Sequence, residues 1–350
     1  MKHHTLMRTL YPSIVASTSR GVNGSTHCDA RVIGRLREIH TFPLKGARSQ
    51  KLEFASVQRD GGIPDDRKFA LLRHEHAAQR WQIDSKDSER AARANACDIL
   101  RTADGKDVGH HSNKHLFHQL ITDTELVNVR ARCVGARGLI VECASTGRVL
   151  AECADSAIER EREKVEKFFG TLLKSACGVP TLTRADGCSF TNVGGRPDEH
   201  VLHINTTASV REVYEQTSSW ETTGETLDAF ALRFRPNLVF EDAGDGSLKP
   251  FDEFAWCGKN VRIGRDVIIH INEPTIRCPS TRARYDAPNE SGKERKVQPD
   301  VDIRSSFPNL TASIFDREAV NLADKGSYLG IYAKVIVGGI IRAGDDISLL

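Results

Sequence analysis

The chain has 350 residues, of which 39% are hydrophobic and 27% charged, a composition typical of a folded globular protein. Its 49 basic and 47 acidic residues leave a formal charge of only +2, so net charge does not indicate a nucleic-acid or membrane-surface partner. The longest strongly apolar run, near Val335–Ile341, contains two glycines and is far shorter than the roughly 20 apolar residues of a bilayer span. We therefore expect no transmembrane segment and no nucleic-acid partner.

The first 30 residues differ in composition from the rest of the chain. Residues 1–28 include eight serines and threonines and three basic residues but no acid, and Leu6, Leu10 and Ile14 are spaced so that they would share one helix face. A basic, hydroxylated, acid-poor and amphipathic segment is typical of a mitochondrial presequence, although Pro12 interrupts the helix. The alternative is a disordered tail. Residues 1–30 are therefore interpreted as a targeting segment or tail, with a mitochondrial location expected in the first case and a cytoplasmic one otherwise.

From Arg31 onward, short β-prone runs alternate with polar turns, which predicts a β-rich domain over residues 31–150. Its predicted strands are Leu36–Phe42, Lys51–Val57, Lys68–Leu72, Leu126–Arg132 and Gly138–Cys143. A helix is predicted over residues 84–97. A second, amphipathic helix follows Asp155-Ser156, which can cap it. Together with a Gly- and Asp-rich loop over residues 182–199, this helix forms a predicted linker over residues 151–200.

Residues 201–350 are predicted to form a second β-rich domain with a short helix at Ser209–Gln216 and a charged loop over residues 282–304. Its predicted strands are Val201–Ile204, Asn237–Glu241, Asn260–Ile263, Val267–Ile271, Gly330–Val337, Ile340–Ile341 and Ile347–Leu350. The expected fold class is a mixed, β-rich α/β fold with few helices.

Nine cysteines, an odd number without a C-x-x-C pair, argue against a disulfide framework and a structural zinc site. Cys278 stands apart because it follows a predicted strand and lies beside Arg277, whose charge would favour the thiolate. A thiolate is a soft ligand that suits a transition metal, and the alternative is a strand-end cysteine without a function. Four histidines have partly helical spacing, but no acid or cysteine near them completes a zinc site. These are His110, His111, His115 and His118.

Four basic residues could hold an anion if the fold brings them together, because guanidinium groups bind phosphate bidentately. They are Lys45, Arg67, Arg233 and Arg235. Taken singly, each is more often an ordinary surface charge.

The order of motifs in the C-terminal half resembles the MOSC domain, named for the C-terminal part of molybdenum cofactor sulfurase. The motifs are His203–Val210, Leu232–Val239, Phe251–Gly264, Arg277-Cys278, Leu329–Ala333 and Gly338–Asp345. The N-terminal half resembles the β-barrel domain that often precedes a MOSC domain. Its motifs are Phe42–Gly46, Gly62–Leu71 and Lys114–Phe117. The resemblance covers residues 31–350, and the motifs are similar to those of the mitochondrial amidoxime-reducing component and of bacterial MOSC proteins. It implies an N-terminal β-barrel-like domain followed by a MOSC β-barrel.

The resemblance implies that a molybdenum cofactor, Mo-molybdopterin, binds between the two domains, with Cys278 as its protein metal ligand and catalytic residue. The residues implied to bind the cofactor are Lys45, Arg67, Thr206, Thr207, Ser209, Arg233, Arg235, Asn237, Arg277 and Tyr332. The implied activity is reduction of N-hydroxylated small molecules by oxygen-atom transfer, with electrons from a cytochrome b5-type protein and its reductase.

Two other functions stay open. In the first, Cys278 carries a persulfide or the cofactor to another protein. In the second, the chain is a non-catalytic binding module. A complete cofactor sulfurase is disfavoured, because the chain has no room for the pyridoxal-phosphate domain of that family, and pyridoxal phosphate binding is not expected here.

Overall fold

The computed structural model describes residues 31–59, 61–75, 116–174, 178–185, 190, 202–216, 224–285, 298–307 and 327–350. Residues 31–350 form one compact unit. Four α-helices lie in the described part of the chain, namely α1 (Glu159–Leu172), α2 (Thr207–Gln216), α3 (Leu227–Leu232) and α4 (Pro299–Ser306). None of the described helices is long and apolar enough to cross a bilayer.

Fifteen strands make up most of the described structure. The first eight are β1 (Arg31–Thr41), β2 (Gln50–Leu52), β3 (Phe54–Val57), β4 (Phe69–Leu72), β5 (Val129–Val134), β6 (Gly138–Cys143), β7 (Val149–Cys153) and β8 (Thr181–Arg184). The others are β9 (Leu202–Thr206), β10 (Leu238–Glu241), β11 (Asn260–Ile263), β12 (Val267–Ile276), β13 (Tyr328–Val337), β14 (Gly339–Arg342) and β15 (Asp346–Leu349).

Seven of these strands close into a barrel in the order β10-β9-β13-β12-β11-β15-β1, with β1 pairing back to β10. Neighbouring strands are antiparallel except β9 and β10, which are parallel. Closure satisfies the backbone groups that an open sheet would leave unpaired at its edges. The β-rich α/β fold class and the MOSC-type barrel expected from the sequence are therefore confirmed.

The barrel is filled by alternate residues of its strands, because successive side chains of a strand point to opposite faces. Leu36, Ile204, Val261, Ile269 and Ile331 are all fully buried in this core. The other face of the same strands is turned outward. On β9 this outer face carries a histidine, His203, and an asparagine, Asn205.

Residues 31–150, the first predicted domain, contribute strands directly to the barrel. Strand β1 closes it, and β3 pairs with β14 near the C-terminus. Strand β2 extends the same sheet by pairing with β1. Strands β4 to β8 form a three-stranded sheet, β5-β6-β7, and a pair, β4-β8, rather than a closed barrel of their own. The physical reason is that β1, the longest strand of the region, is used by the larger barrel. The domain boundaries at residues 150 and 201 stay a prediction.

A second core lies under these smaller sheets. The aromatic and aliphatic side chains of Phe69, Val129, Val165 and Phe169 are fully or almost fully buried there. Val165 and Phe169 come from α1, so this helix packs on the sheets as its amphipathic pattern predicts. Leu44 and Ala47, which follow β1, belong to the same core, so the segment after β1 is packed into it.

Several predicted elements differ from the observed ones for local reasons. The run Lys51–Val57 divides at Glu53, because β2 pairs with β1 whereas β3 pairs with β14. Helix α1 begins after Ile158, so Asp155 does not cap it but accepts a hydrogen bond from the Ala157 N–H at 2.8 Å. The predicted loop over residues 282–304 contains the start of α4, which has Pro299 in its first turn.

Some expectations fall outside the described residues. They are the tail over residues 1–30, the helix over residues 84–97, most of the loop over residues 182–199, and His110, His111 and His115. His118 is described, and its Nδ1 lies 3.0 Å from a carboxylate oxygen of Asp123 while the residue is 3% exposed. This histidine has a structural partner.

Candidate functional site

Cys278 lies just beyond the end of β12, two residues after Ile276. Its backbone is extended and leads into a short 3-10 helix, Pro279–Arg282. Among the five cysteines that the structure describes, Cys278 is the exposed one. Its Sγ lies 2.9 Å from the Ser280 Oγ. The thiol is therefore accessible to a ligand from outside the chain.

Arg277, the neighbour of Cys278, is held by a chain of hydrogen bonds. Its Nη1 lies 2.9 Å from the His203 Nε2, and its Nη2 donates to the Phe234 carbonyl at 2.6 Å. The His203 Nδ1 lies 3.2 Å from the Arg235 carbonyl. Because a guanidinium can only donate, His203 Nε2 accepts and its Nδ1–H donates to that carbonyl. Burial and the charge of Arg277 lower the pKa of His203 well below its usual range, which agrees with a neutral ring.

His203 is a residue that sequence reasoning missed as part of the site. It belongs to the motif His203–Val210, but only the hydroxyl-bearing residues of that segment were expected to bind a ligand. The available signal was its position: Leu202 and Ile204 face the barrel core, so His203 lies on the outer face of β9. From there it connects the backbone at Arg235 to the side chain beside Cys278.

Tyr332 lies on the same outer face, with its ring centroid 5.6 Å from that of His203. Burial raises the pKa of the Tyr332 phenol, and the nearby cations Arg277 and Arg67 oppose the rise. The charge of Cys278 also acts on this phenol. The structure thus brings together five residues that we call the Cys278 cluster: Cys278, Arg277, His203, Tyr332 and Arg67.

Arg67 and Arg235 share an unusual backbone geometry. Their φ angles are 52° and 54°, in the left-handed region that L-residues rarely adopt and that costs roughly 1–2 kcal/mol per residue. Both guanidiniums lie over the ring of Phe42, with Cζ-to-centroid distances of 5.1 Å for Arg67 and 4.2 Å for Arg235. Strain of this kind is often retained at functional sites. Here it places two sequence-predicted cations against the same aromatic ring, that of Phe42.

These two arginines keep hydrogen-bonding capacity. The bonds of Arg235 to the Ala47 carbonyl and to the Tyr285 hydroxyl, at 2.6 and 3.1 Å, both use Nη1. Arg67 donates to Asp66 through Nη1. Their remaining N–H groups have no partner among the described residues. Lys45, the third cation predicted to bind the phosphate, is 3% exposed. Such a set of donors fits a phosphate group.

The predicted hydroxyl ligands have a different environment. Thr206 Oγ1 and Ser209 Oγ lie 3.1 and 2.7 Å from the same carboxylate oxygen of Glu253, which is fully buried. Ser209 Oγ also accepts from the Phe251 N–H at 2.7 Å. Burial raises the pKa of Glu253 to about 7. These two hydroxyls are already satisfied within the chain, so the structure does not direct them to a cofactor.

Arg233 and Asn237 are also engaged in structural contacts. Arg233 forms a bidentate ion pair with Glu225 at 2.6 Å for both contacts, and both side chains are fully buried. The Asn237 carboxamide bridges two strands, because its Oδ1 accepts from the His203 N–H at 3.1 Å and its Nδ2 donates to the His40 carbonyl at 3.2 Å. Both side chains thus have partners within the chain that support the barrel wall, and their predicted role as cofactor ligands stays a prediction.

Thr207 is the remaining predicted ligand. It begins α2 and lines a separate cavity on the outer face of the barrel, away from Cys278. No group of three or more His, Cys, Asp or Glu side chains among the described residues could hold a metal ion. A metal at Cys278 would therefore be held by one protein thiolate and by ligands that a cofactor brings.

Comparisons with known proteins place this site in a family. The family model of the MOSC domain matches residues 191–348. Residues 191–348, a little under half of the chain, are therefore assigned as a MOSC domain. MOSC domains resemble the C-terminal domain of molybdenum cofactor sulfurase, and the family is associated with binding of that cofactor. A search of curated protein sequences returned no match.

The solved structures that this chain matches are distant in sequence. The YuaD protein from Bacillus subtilis is 12% identical, with a TM-score of 0.30, and the match covers 90% of this chain and 94% of that one. YiiM from Geobacillus stearothermophilus is 17% identical, with a TM-score of 0.21, over 43% of this chain and 54% of that one.

Proposed function

We propose that this protein binds a molybdenum cofactor and reduces N-hydroxylated small molecules by oxygen-atom transfer. The observation that carries the proposal is the pair Arg67 and Arg235. Both have a strained backbone, both lie over the Phe42 ring, and both keep N–H groups that no described residue accepts. Arg67 also lies within electrostatic reach of Tyr332, as does Cys278. The proposed phosphate site and the accessible thiol therefore both contribute a residue within electrostatic range of Tyr332, as a cofactor that spans the two would require.

Each residue of the site has a distinct role in this proposal. Arg67, Arg235 and Lys45 would hold the phosphate, and the Cys278 thiolate would bind the metal. When bound, the cofactor supplies the metal at which an oxygen atom and two electrons are exchanged. His203 fixes the direction in which the guanidinium of Arg277, the neighbour of Cys278, points.

Tyr332 adds a neutral polar group to the Cys278 cluster. Since burial raises the pKa of its phenol, the O–H stays protonated at neutral pH, within electrostatic range of Arg277 and Arg67. This arrangement suits an oxygen-bearing substrate that needs orientation rather than a proton acceptor. Electrons are expected from separate carriers, a cytochrome b5-type protein and its reductase.

A second function is favoured by one observation. Cys278 is exposed and follows a strand end, which is the placement that a sulfur carrier needs in order to present a persulfide to a partner protein. In this alternative the arginines would receive the cofactor for transfer rather than for turnover. The two functions differ in whether the purified protein turns over a substrate.

Substitution of Cys278 tests the proposal. We expect Cys278→Ser to lose reductase activity on a benzamidoxime-type substrate with an artificial electron donor, down to background, because a hydroxyl is a harder and less acidic ligand than a thiol. The cofactor content should fall less, since the phosphate contacts remain. Cys257→Ser is the matched control, a partly buried cysteine of the same barrel. Wild-type activity in Cys278→Ser, or an equal loss in Cys257→Ser with the fold intact, would contradict the assignment of Cys278 as the metal ligand. Cyanide-labile sulfur without molybdenum in the wild-type protein would instead favour the carrier.

The mitochondrial location is a further part of the proposal. Its support is the acid-free, hydroxylated composition of residues 1–28. A fusion of Met1–Asp29 to a fluorescent reporter should localise to mitochondria. A diffuse cytosolic signal would contradict the targeting role.

A further inference from the structure

The segment that carries Cys278, residues 277–282, is anchored at both of its ends, and we call it the Cys278 turn. At its start, the backbone N–H of Arg277 donates at 2.7 Å to the carbonyl of the residue that precedes β13. At its end, the Arg282 guanidinium forms a bidentate ion pair with Asp300 of α4, at 2.8 and 2.7 Å. These two contacts hold the flanks of the turn, and neither involves an atom of Cys278.

A buried threonine, Thr281, holds the backbone of Cys278 itself. Thr281 is 1% exposed, and its N–H and its Oγ1 both donate to the Cys278 carbonyl, at 3.1 and 3.0 Å. Two donors on one carbonyl fix the plane of that peptide unit. The plane in turn restrains the ψ angle of Cys278, which is 169°. Thr281 therefore restrains the direction in which the thiol leaves the turn.

Thr281 is itself held by the buried ion pair of Arg233 and Glu225. The Arg233 Nη1 donates to the Thr281 carbonyl at 3.2 Å, while its Nε and Nη2 bind the two carboxylate oxygens of Glu225. The Tyr214 hydroxyl donates to the Glu225 carbonyl at 2.6 Å, which ties the pair to α2. A continuous chain of hydrogen bonds thus runs from α2 through Arg233 and Thr281 to the carbonyl of Cys278.

Stability alone does not account for a buried ion pair at this position. Desolvation of the two charges offsets their attraction, so a buried pair can often be replaced by apolar residues of similar volume without loss of stability. A guanidinium, however, carries its N–H groups in a rigid fork and can bind a carboxylate and a carbonyl at the same time. Arg233 uses its fork in this way, and an apolar residue there would leave the Thr281 carbonyl without this donor.

We propose that Thr281 is a positioning residue for the Cys278 thiol and that the Arg233–Glu225 pair keeps Thr281 in place. The inference rests on the proposed function, because the thiol is positioned for the metal of a bound cofactor. Arg233 then acts through the backbone of the Cys278 turn rather than through contact with the cofactor. Groups that orient a metal ligand in this manner change metal affinity or activity by roughly 10- to 100-fold when they are removed.

Amide hydrogen exchange of the full chain as purified tests the chain of contacts, because it measures how often the turn opens. We expect residues 278–283 to exchange at least fivefold faster in Thr281→Val than in the wild type. Thr281→Ser keeps the hydroxyl and should exchange like the wild type. Arg233→Met/Glu225→Leu should also exchange at least fivefold faster, although its two apolar side chains restore much of the stability that Arg233→Ala alone would lose.

Thr275, three residues before Cys278, provides the matched control. It is also 1% exposed, but its Oγ1 has no hydrogen-bond partner among the described residues. Thr275→Val therefore removes a buried hydroxyl, as Thr281→Val does, without removing a contact to Cys278. This variant should leave the exchange of residues 278–283 unchanged.

Turnover per bound molybdenum tests what these contacts do for the thiol. With a benzamidoxime-type substrate, we expect Thr281→Val and Arg233→Met/Glu225→Leu to lower kcat per molybdenum at least tenfold without a change in KM. Thr281→Ser and Thr275→Val should keep the wild-type kcat. A purely structural role would reduce the amount of folded, loaded protein but would leave kcat per molybdenum unchanged.

Three results would overturn the inference: unchanged exchange in Arg233→Met/Glu225→Leu, equal exchange in Thr281→Val and Thr275→Val, or a wild-type kcat per molybdenum in Thr281→Val. A wild-type protein free of molybdenum would instead contradict the proposed function. Faster exchange in Thr281→Val would then still support Thr281 as the anchor of the thiol, so the two failures are distinguishable.

Discussion

Two polar regions of the barrel were both expected to bind the same cofactor, and they differ in how far their hydrogen-bonding groups are already satisfied. In the Glu253 network, Thr206 and Ser209 direct their hydroxyls to one buried carboxylate. At the outer face, Arg67 and Arg235 lie over one phenylalanine ring with N–H groups left unpaired by the described residues. A motif residue whose polar atoms all hydrogen-bond within the chain stabilises the fold. One that keeps donors without a partner among the described residues can bind a ligand.

The contrast separates two effects of mutation. Changes in the satisfied regions should lower the free energy of unfolding while the folded protein keeps its cofactor. Substitution of Arg67 or Arg235 should do the reverse: the protein should lose its cofactor while its free energy of unfolding changes little.

The largest effect is expected at the buried ion pair of Arg233 and Glu225. Arg233→Ala leaves a fully buried carboxylate without its partner, and loss of one member of such a pair costs about 3–5 kcal/mol. Urea denaturation measures this loss. The double variant Arg233→Met/Glu225→Leu should recover much of it, because two apolar groups leave no charge unpaired. A loss below about 1 kcal/mol in Arg233→Ala would show that the pair is not buried as described.

The second effect is a pH dependence that originates at Glu253. Its pKa rises from the ordinary glutamate value of 4.5 to about 7 in the fold, because burial disfavours the charged form. Below about pH 4.5 the group is protonated in both states and stability is complete. As pH rises from 4.5 to 7 only the unfolded state gains by ionising, so stability falls by about 3 kcal/mol at roughly 1.36 kcal/mol per pH unit.

Glu253→Gln should remove this dependence. The variant is expected to match the wild type near pH 4 and to exceed it in unfolding free energy at about pH 8, with the difference developing between pH 4.5 and 7. Urea melts at several pH values give the curve. A wild-type protein that gains stability relative to Glu253→Gln as pH rises would have the opposite sign and contradict the raised pKa.

Arg67→Ala should change the free energy of unfolding less than the preceding substitutions, and it should weaken cofactor binding directly. Loss of a charge-assisted hydrogen bond weakens cofactor retention by about 1.5–3 kcal/mol, roughly ten- to hundredfold. Stability should change by less than about 1 kcal/mol, since Asp66 keeps its bond from the Phe42 N–H at 2.8 Å. Molybdopterin remaining after gel filtration is the readout. Arg342→Ala is the control, because Arg342 also lies over a phenylalanine ring, that of Phe54, but at an exposed position.

The smallest effect concerns which thiol reacts first with an alkylating agent. Hydrogen bonds from Ser145 and Thr146 lower the pKa of the Cys143 thiol to about 6, whereas burial raises that of Cys153 to about 11. Iodoacetamide should therefore label Cys143 at about pH 7, with a rate that increases through about pH 6, and leave Cys153 unmodified. Peptide mass spectrometry locates the label. Equal labelling of both cysteines in the folded protein would contradict the difference.

Much of the barrel could be predicted from the sequence because alternation reports which face of a strand is buried. The strands Gly138–Cys143 and Asn260–Ile263 match the prediction residue for residue. The partner of a strand could not be predicted in the same way. Nothing in the alternation of residues 31–41 shows that this strand closes a barrel made mostly of strands that lie far away in the sequence, such as β10 and β15.

The sequence predicts which residue types belong to the candidate site, but not which of those side chains already have partners within the chain. The motifs named Arg67, Arg235 and Cys278, and the structure brings Arg67 near Cys278 through Tyr332. The same reasoning also named Arg233, because no sequence pattern marks its buried pairing with Glu225. Conversely, His203 is significant only because the outer face of β9 is covered by other parts of the chain.

Cofactor content in three proteins tests the central claim most directly. The proteins are the wild type, Arg67→Ala/Arg235→Ala, and Thr206→Val/Ser209→Ala, each co-produced with molybdenum cofactor and assayed for molybdenum and molybdopterin after confirmation of the fold. We predict a near-stoichiometric content in the wild type and in Thr206→Val/Ser209→Ala, and a severe loss in Arg67→Ala/Arg235→Ala. A wild type free of molybdenum, or equal loss in both folded double variants, would contradict the assignment of the outer face as the binding site.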